Sequence, residues 1–154
     1  MACRHAVARV RNDYQLIPLE GDGAMDDQIR HYEDKLKYET DSWDLYEALS
    51  NKENVVVVDA RSAEAYGREH IPGAVSLPHR TMSEETTRAF DKSALAVVYC
   101  DGIGCNASTK GALNMARLGF RVKELMGGLD WWKRDGYATE GEQGRAGKAI
   151  ACGC

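Results

Sequence analysis

A short stretch near residue 100 combines two cysteines and two glycines between an apolar run and a segment with helical periodicity. Its residues are Tyr99-Cys100-Asp101-Gly102-Ile103-Gly104-Cys105-Asn106-Ala107-Ser108. A cysteine at the end of a strand that turns tightly into a helix lies near backbone N–H groups and the positive end of the helix, and both favour an anion. We therefore expect the Cys100 thiol to ionise more easily than free cysteine, whose pKa is about 8.5. The predicted chemistry is that of a nucleophilic thiolate.

Backbone groups are expected to supply the anion-binding part of this site. The amides predicted to form it are those of Asp101, Gly102, Ile103, Gly104, Cys105 and Asn106. The two glycines allow the unusual backbone angles that point successive N–H groups inward. The loop contains no Arg or Lys, and the carboxylate of Asp101 directly follows the nucleophile, which disfavours a thiolate. Activation of Cys100 must then come mainly from the loop amides and from the helix that follows.

Composition restricts the class of protein. The chain has 154 residues, of which 44% are hydrophobic and 29% charged, as expected for one compact globular domain. A formal net charge of -4 argues against nucleic acid or an anionic membrane as a partner, and no apolar stretch approaches the ~20 residues that a membrane helix needs. The number of cysteines, 5, is odd, which does not suit a secreted disulfide framework. We expect a cytoplasmic protein.

Local patterns predict alternating helices and strands. Residues 55–58 are four consecutive β-branched valines without alternation, which favours a strand at 55–59 covered on both faces, and 95–99 is a second buried-strand candidate. Shorter strands are predicted at 74–77 and 121–125. Helices are predicted at 26–39, from a cap at Asp41 or Ser42 to residue 50, at 63–68 after Ser62, from a Thr81/Glu84 capping box to residue 90, at 107–118 and at 129–134. This order predicts an α/β fold in three layers, with a central, mainly parallel sheet and helices on both faces.

The predicted domain organisation has three parts. Residues 1–25 read as an N-terminal extension, residues 26–138 as the compact domain with its preceding helix at 26–39, and residues 139–154 as a flexible tail containing glycine and cysteine. Ligands of open parallel sheets lie beyond the carboxyl ends of the strands, which is where Cys100 is predicted to fall.

Four segments in order resemble the rhodanese-like domain family of single-domain sulfurtransferases. They are VVDARSAEAY at 57–66, EHIPGAVSLP at 69–78, VVYC at 97–100 and MGGLDWW at 126–132. The resemblance covers about residues 43–137. It implies that Cys100 is the nucleophile, and that Asp59 and Arg61 form a structural ion pair near the site.

The resemblance also implies a covalent reaction. Cys100 would take sulfane sulfur from thiosulfate or a persulfide as a Cys100 persulfide and pass it to a thiol or to cyanide, with a protein acceptor as a further alternative. No general base is needed if the thiol is already ionised, and no cofactor or resident metal is expected. Cys105, Cys152 and Cys154 are candidate resolving or sulfur-accepting thiols. Alternatives are a buried filler role for Cys105 and a zinc site built from Cys100, Cys105 and the C-terminal pair.

The active loop departs from the family pattern. If Ser108 corresponds to the family's helix-opening Ser, the loop is about two residues longer and lacks the usual cation. Weaker binding of the doubly charged thiosulfate is the expected consequence. Two other interpretations stay open: a non-catalytic or partner-dependent sulfur-carrier module, and a phosphatase-like or arsenate-reductase-like enzyme. The latter carry an Arg at the end of the loop, which is absent here.

Overall fold

A parallel sheet of five strands forms the centre of the protein. The computed structural model describes residues 23–148. The strands are β1 Glu39–Thr40, β2 Val55–Asp59, β3 Val75–Ser76, β4 Leu95–Tyr99 and β5 Arg121–Leu125, in the order β1-β5-β4-β2-β3. Every neighbouring pair is parallel. The strands therefore end at the same edge of the sheet, as the sequence predicts.

Six α-helices and one short 3-10 helix connect these strands. They are α1 Ala24–Tyr38, α2 Ser42–Ser50, α3 Ala63–Arg68, the 3-10 helix His79–Thr81, α4 Glu84–Thr87, α5 Ala107–Arg117 and α6 Gly128–Arg134. Two predicted caps are confirmed: the side chain of Asp41 accepts from the Asp44 amide at 2.9 Å, and that of Ser62 accepts from the Ala65 amide at 3.2 Å. Among the helices of residues 23–148, none has the length and apolar character needed to cross a membrane.

Alternate residues of the central strands face two separate hydrophobic cores. Val57 and Val97 lie in one core with Leu45 of α2 and Trp132 of α6. The neighbouring residues of the same strands lie in the other core, which contains Met115 of α5. Because each strand contributes to both cores, helices cover both faces of the sheet, and the three-layer prediction is confirmed.

The fourth helix begins two residues later than predicted. The sequence places the capping box at Thr81 and Glu84, but the structure places it at Ser83 and Thr86. The Ser83 hydroxyl accepts from the Thr86 amide at 3.2 Å, and the Thr86 hydroxyl accepts from the Ser83 amide at 2.9 Å. Thr81 instead donates to the Pro78 carbonyl, so its hydroxyl closes the preceding 3-10 turn.

Helix α1 is present, but its apolar residues are exposed. Ile29, Tyr32, Leu36 and Tyr38 are each more than half exposed, and no residue of the helix is buried. Both faces of the sheet are already covered, and α1 leads directly into the edge strand β1. Its contact with the sheet includes the Lys123 ammonium, which donates to the Leu36 carbonyl at 2.9 Å.

The described part of the predicted flexible tail is held against the domain. Glu140 exchanges two backbone hydrogen bonds with His70, each 2.9 Å long, and the Lys148 amide donates to the Gly136 carbonyl at 2.8 Å. The Thr139 hydroxyl donates to the carboxylate of buried Glu69 at 2.8 Å. Residues 139–148 are thus fixed by partners far away in sequence. The boundaries at 25 and 138 stay predictions, and residues 1–22 and 149–154, including Cys152 and Cys154, lie outside the described residues.

The contacts of Glu69 predict an acid-dependent contribution to stability. Burial acts to raise the pKa of Glu69, but hydrogen bonds from Lys133 and Thr139 and the charges of Lys133 and Arg145 outweigh it, so the pKa lies below its usual value. Because the pKa of Glu69 is lower in the folded than in the unfolded chain, its carboxylate stabilises the folded protein at pH values above the pKa in the unfolded chain, about 4.3. This stabilisation is lost as the pH falls through the pKa of Glu69 in the folded protein.

We expect Glu69→Gln to lower the free energy of unfolding by about 1–3 kcal/mol at neutral pH. The difference from the wild type should shrink at acidic pH, where wild-type Glu69 is itself protonated. Urea unfolding across the pH range measures this. The exposed Glu85→Gln is the matched control and should follow the wild type. If Glu69→Gln lowered the free energy of unfolding by the same amount at every pH, the stabilising role of the ionised Glu69 carboxylate would be contradicted.

Candidate active site

The Cys100 thiol lies directly after β4, at the carboxyl edge of the sheet, and is 1% exposed. Its Sγ lies 3.0 Å from the carbonyl oxygen of Cys105 and 3.6 Å from that of Gly102. The Ser108 Oγ, at the start of α5, is 3.2 Å away. Since two of these three partners are carbonyl oxygens, which only accept hydrogen bonds, the arrangement suits the protonated thiol.

The expectation of an easily ionised thiol is wrong for this resting arrangement. Burial raises the pKa of Cys100 above that of an ordinary thiol, and the Cys105 side chain adds to this effect. The Ser108 hydroxyl and the backbone amides of Ser108 and Gly102 act in the opposite direction, without cancelling it. Sequence patterns did not reveal how completely the sulfur is removed from water, which disfavours a charged form.

The predicted loop amides are used unevenly. The amide of Gly102 favours the thiolate form of Cys100, whereas that of Cys105 donates to the Gly102 carbonyl at 3.0 Å and closes a turn inside the loop. Ile103, Gly104 and Asn106 are exposed. Neither Gly102 nor Gly104 adopts a positive φ, so the predicted reason for glycine at these two positions is wrong.

Arg61 lies beside the loop and carries the cation that the loop itself lacks. Its Nη2 donates to Asp59 Oδ2 at 2.6 Å and to the Glu69 carbonyl at 2.7 Å, and its Nη1 donates to Asp101 Oδ1 at 2.8 Å. Asp59 is fully buried. The predicted contact between Asp59 and Arg61 is present, and it extends to the carboxylate of Asp101, which follows Cys100. Asp101 is therefore paired with a cation from another segment.

The N-terminus of α6 fixes the backbone at Cys100. The amides of Leu129 and Asp130 donate to the carbonyls of Cys100 and Asp101 at 2.9 and 2.8 Å. The preceding Gly127 and Gly128 have φ values of 73° and 55°, in the left-handed region that favours glycine. A Cβ at Gly128 would overlap the carbonyl oxygen of Cys100. The positive-φ glycines of the site therefore belong to α6 rather than to the loop.

Ser108, which contacts the Cys100 sulfur, and Glu124, which contacts Ser108, were not among the predicted site residues. Ser108 Oγ, besides contacting Cys100, donates to Glu124 Oε1 at 2.6 Å, and Thr109 Oγ1 donates to the same oxygen at 2.9 Å. Glu124 is brought there by the register of β5, in which it pairs with Val98 on β4. The position of Ser108 at a helix start was visible in the sequence. Glu124 carried no local signal, because its partner lies 16 residues away.

The family model described as "Rhodanese-like domain" matches residues 42–135, more than half of the chain. The chain belongs to the rhodanese-like domain family. Thiosulfate sulfurtransferase GlpE of Coxiella burnetii is 32% identical over 108 residues, which span 69% of this chain and 86% of that protein. The resemblance inferred from four sequence segments is thus confirmed.

Solved structures of rhodanese-like domains share the fold. The crystal structure of the BH2092 protein from Bacillus halodurans is 44% identical, with a TM-score of 0.74 over 78% of this chain and 88% of that one. The solution structure of the rhodanese-like domain of Alr3790 from Anabaena is 28% identical, with a TM-score of 0.62 over 68% of this chain and 80% of that one.

Two cavities border the active loop of this rhodanese-like domain. The larger has a volume of about 750 Å³ and is lined by charged residues that include Arg61, Asp101 and Lys133. The smaller, about 340 Å³, reaches Ser108 and Glu124. Cys105 lines both cavities and is only partly buried. Within residues 23–148, no group of three or more His, Cys, Asp or Glu side chains is arranged to bind a metal ion.

Gly128→Ala tests the contact between α6 and Cys100. The added Cβ would require both a strained backbone and a displaced Cys100 carbonyl, so we expect a loss of at least about 2 kcal/mol in the free energy of unfolding. Gly104→Ala is the matched control in the same site, because nothing lies within 4 Å of its Cβ position. It should stay within about 0.5 kcal/mol of the wild type in urea unfolding. Equal effects of the two substitutions would contradict this role of Gly128.

Proposed function

We propose that the protein is a sulfurtransferase that carries sulfane sulfur as a persulfide on Cys100. The observation that carries this proposal is the position of Cys100, at the carboxyl end of a central strand, with its backbone fixed by the α6 amides. A relative that covers the same domain bears the name thiosulfate sulfurtransferase. The proposal assigns the nucleophile to Cys100 and its immediate surroundings to Gly102, Cys105 and Ser108.

The proposed reaction consists of two displacements at sulfur. The Cys100 thiolate attacks the outer sulfur of the donor and forms an S–S bond, while the bond between that sulfur and the rest of the donor breaks. The donor remainder leaves with the electron pair, as sulfite from thiosulfate or as a thiolate from a persulfide. An acceptor thiol or cyanide then attacks the outer sulfur and releases the Cys100 thiolate. No external oxidant or reductant is required.

The charge around the loop favours a donor of low charge. Arg61, the cation beside the loop, is already paired with both Asp59 and Asp101, so it has little attraction left for an incoming dianion. We propose that a persulfide is used more efficiently than thiosulfate. The same argument disfavours a phosphatase-like or arsenate-reductase-like activity, because phosphate and arsenate need an unpaired cation at this loop.

Cys105 is proposed as the first thiol that a sulfur on Cys100 can meet. It lies in the same loop, its carbonyl oxygen is 3.0 Å from Cys100 Sγ, and it lines both cavities. Cys105 is thus suited to accept or resolve the persulfide, and this role is a proposal. Accepting roles for Cys152 and Cys154 also stay proposals, since both lie outside the described residues.

A partner-dependent sulfur carrier is the second candidate function. The burial of the Cys100 sulfur favours it, because a donor or acceptor protein that moved the loop would expose the thiol. In that case small donors would load the protein poorly, and a protein donor would load it well. The chemistry at Cys100 would be unchanged.

Intact-mass spectrometry after exposure to cysteamine persulfide, whose ammonium group offsets the charge of the persulfide, or to the thiosulfate dianion tests the proposal. We expect the wild type to gain one sulfur atom, with faster loading from the persulfide. Cys100→Ser should gain none at the same site, although it keeps four of the 5 cysteines. Cys105→Ser is the matched control and should still load. If wild type and Cys100→Ser gain sulfur equally, or neither gains any, the proposed function fails.

A further inference from the structure

The hydroxyl of Ser108 lies between two groups that compete for its hydrogen. Ser108 is 3% exposed, and its Oγ lies 3.2 Å from Cys100 Sγ and 2.6 Å from Glu124 Oε1. A serine hydroxyl carries one hydrogen. It can therefore donate to the sulfur or to the carboxylate, but not fully to both.

In the resting arrangement the Ser108 hydroxyl donates this hydrogen to Glu124. A carboxylate can only accept hydrogen bonds, so the 2.6 Å contact requires Ser108 to be its donor. The sulfur then faces the lone pairs of Ser108 and the carbonyl oxygens of Cys105 and Gly102, which suit an S–H group. The backbone amides of Ser108 and Gly102 favour the thiolate, but they do not outweigh burial.

Ionisation of Cys100 is favoured by the opposite arrangement. A thiolate needs donors, and rotation of the Ser108 hydroxyl from Glu124 to the sulfur adds one to the backbone amides of Ser108 and Gly102. Glu124 would then keep the hydrogen bond from Thr109, which is already 2.9 Å from the same oxygen. The thiol proton leaves to solvent.

We propose that Glu124 is a positioning residue that competes with the Cys100 sulfur for the Ser108 hydroxyl and so keeps Cys100 protonated until the hydroxyl turns. This inference rests on the proposed function, because it assigns Cys100 as the reacting thiol. It explains why a nucleophile without a neighbouring base is held as an inert thiol at rest. Glu124 and Ser108 together then set the fraction of reactive thiolate.

Other charged groups around Cys100 do not remove this competition. The charged or titratable groups on the surrounding elements include Asp59, Arg61, Asp101, Cys105, Asp130 and Glu124. Glu39 on β1 pairs with Glu124 in the sheet register and is itself paired with Lys35 at 2.7 Å. Arg61 is paired with Asp59 and Asp101, and Asp130 is paired with Arg134 at 2.9 Å. Thr109 and Ser108 are the donors that the structure gives to Glu124 within residues 23–148. The competition between Glu124 and the Cys100 sulfur therefore depends on the hydroxyls of Ser108 and Thr109.

The rate of Cys100 alkylation by iodoacetamide as a function of pH tests the proposal, since the thiolate is the reacting form. Cys100 is distinguished from Cys105 by fragmenting the tryptic peptide 93–110, which contains both. Glu124→Gln should lower the pH midpoint by about one unit, which makes alkylation at neutral pH about tenfold faster. Thr109→Val, at an exposed position, should raise the midpoint, because Glu124 then depends on Ser108 alone.

The double variant separates the hydroxyl from a simple charge effect. In a Ser108→Ala background, Glu124→Gln should no longer move the midpoint. The proposal would be overturned if Glu124→Gln left the pH midpoint of Cys100 alkylation unchanged or raised it. It would also be overturned if Glu124→Gln lowered the midpoint by the same amount in the Ser108→Ala background. Alkylation needs no sulfur transfer, so the result is independent of whether Cys100 takes up sulfur from a donor. Failure of the proposed function would appear only in the mass experiment.

Discussion

The buried ion pair between Asp59 and Arg61 is the interaction on which the site depends. It joins the end of β2 to the active loop through Asp101 and to the turn at Glu69. Tyr99, the last residue of β4, donates to the same Asp59 carboxylate at 2.6 Å. Because both charges are nearly inaccessible to water, loss of either partner would leave an unpaired buried charge, which is strongly destabilising. The position of the residues beside Cys100 thus follows from one ion pair.

This use of Arg61 has a chemical cost. The cation nearest the loop neutralises carboxylates and does not face the sulfur as a free charge, so stabilisation of an anionic sulfur depends on backbone amides and on Ser108. The relatives named thiosulfate sulfurtransferase share the domain. In this chain Asp101 directly follows Cys100 and is paired with Arg61, so the charge beside the proposed nucleophile is set by these two residues.

Features with local causes could be predicted from the sequence, and features with distant partners could not. The runs 55–59 and 95–99 and the caps Asp41 and Ser62 depend on near neighbours, and the structure confirms them. The contact of Thr139 with Glu69 joins residues 70 positions apart. The contact between Ser108 and Glu124 depends on the β5 register, and the raised pKa of Cys100 depends on burial. None of these three leaves a pattern in neighbouring residues.

Transfer of labelled sulfur tests the central claim most directly. The wild-type protein is loaded from a persulfide whose outer sulfur is isotopically labelled, freed of donor, and treated with cyanide. The account predicts that the label lies on Cys100 in the peptide 93–110, and that cyanide then removes it as thiocyanate, in an amount equal to the label bound. Equal labelling of the wild type and of Cys100→Ser, or label on Cys100 that cyanide cannot remove, would contradict this role of Cys100.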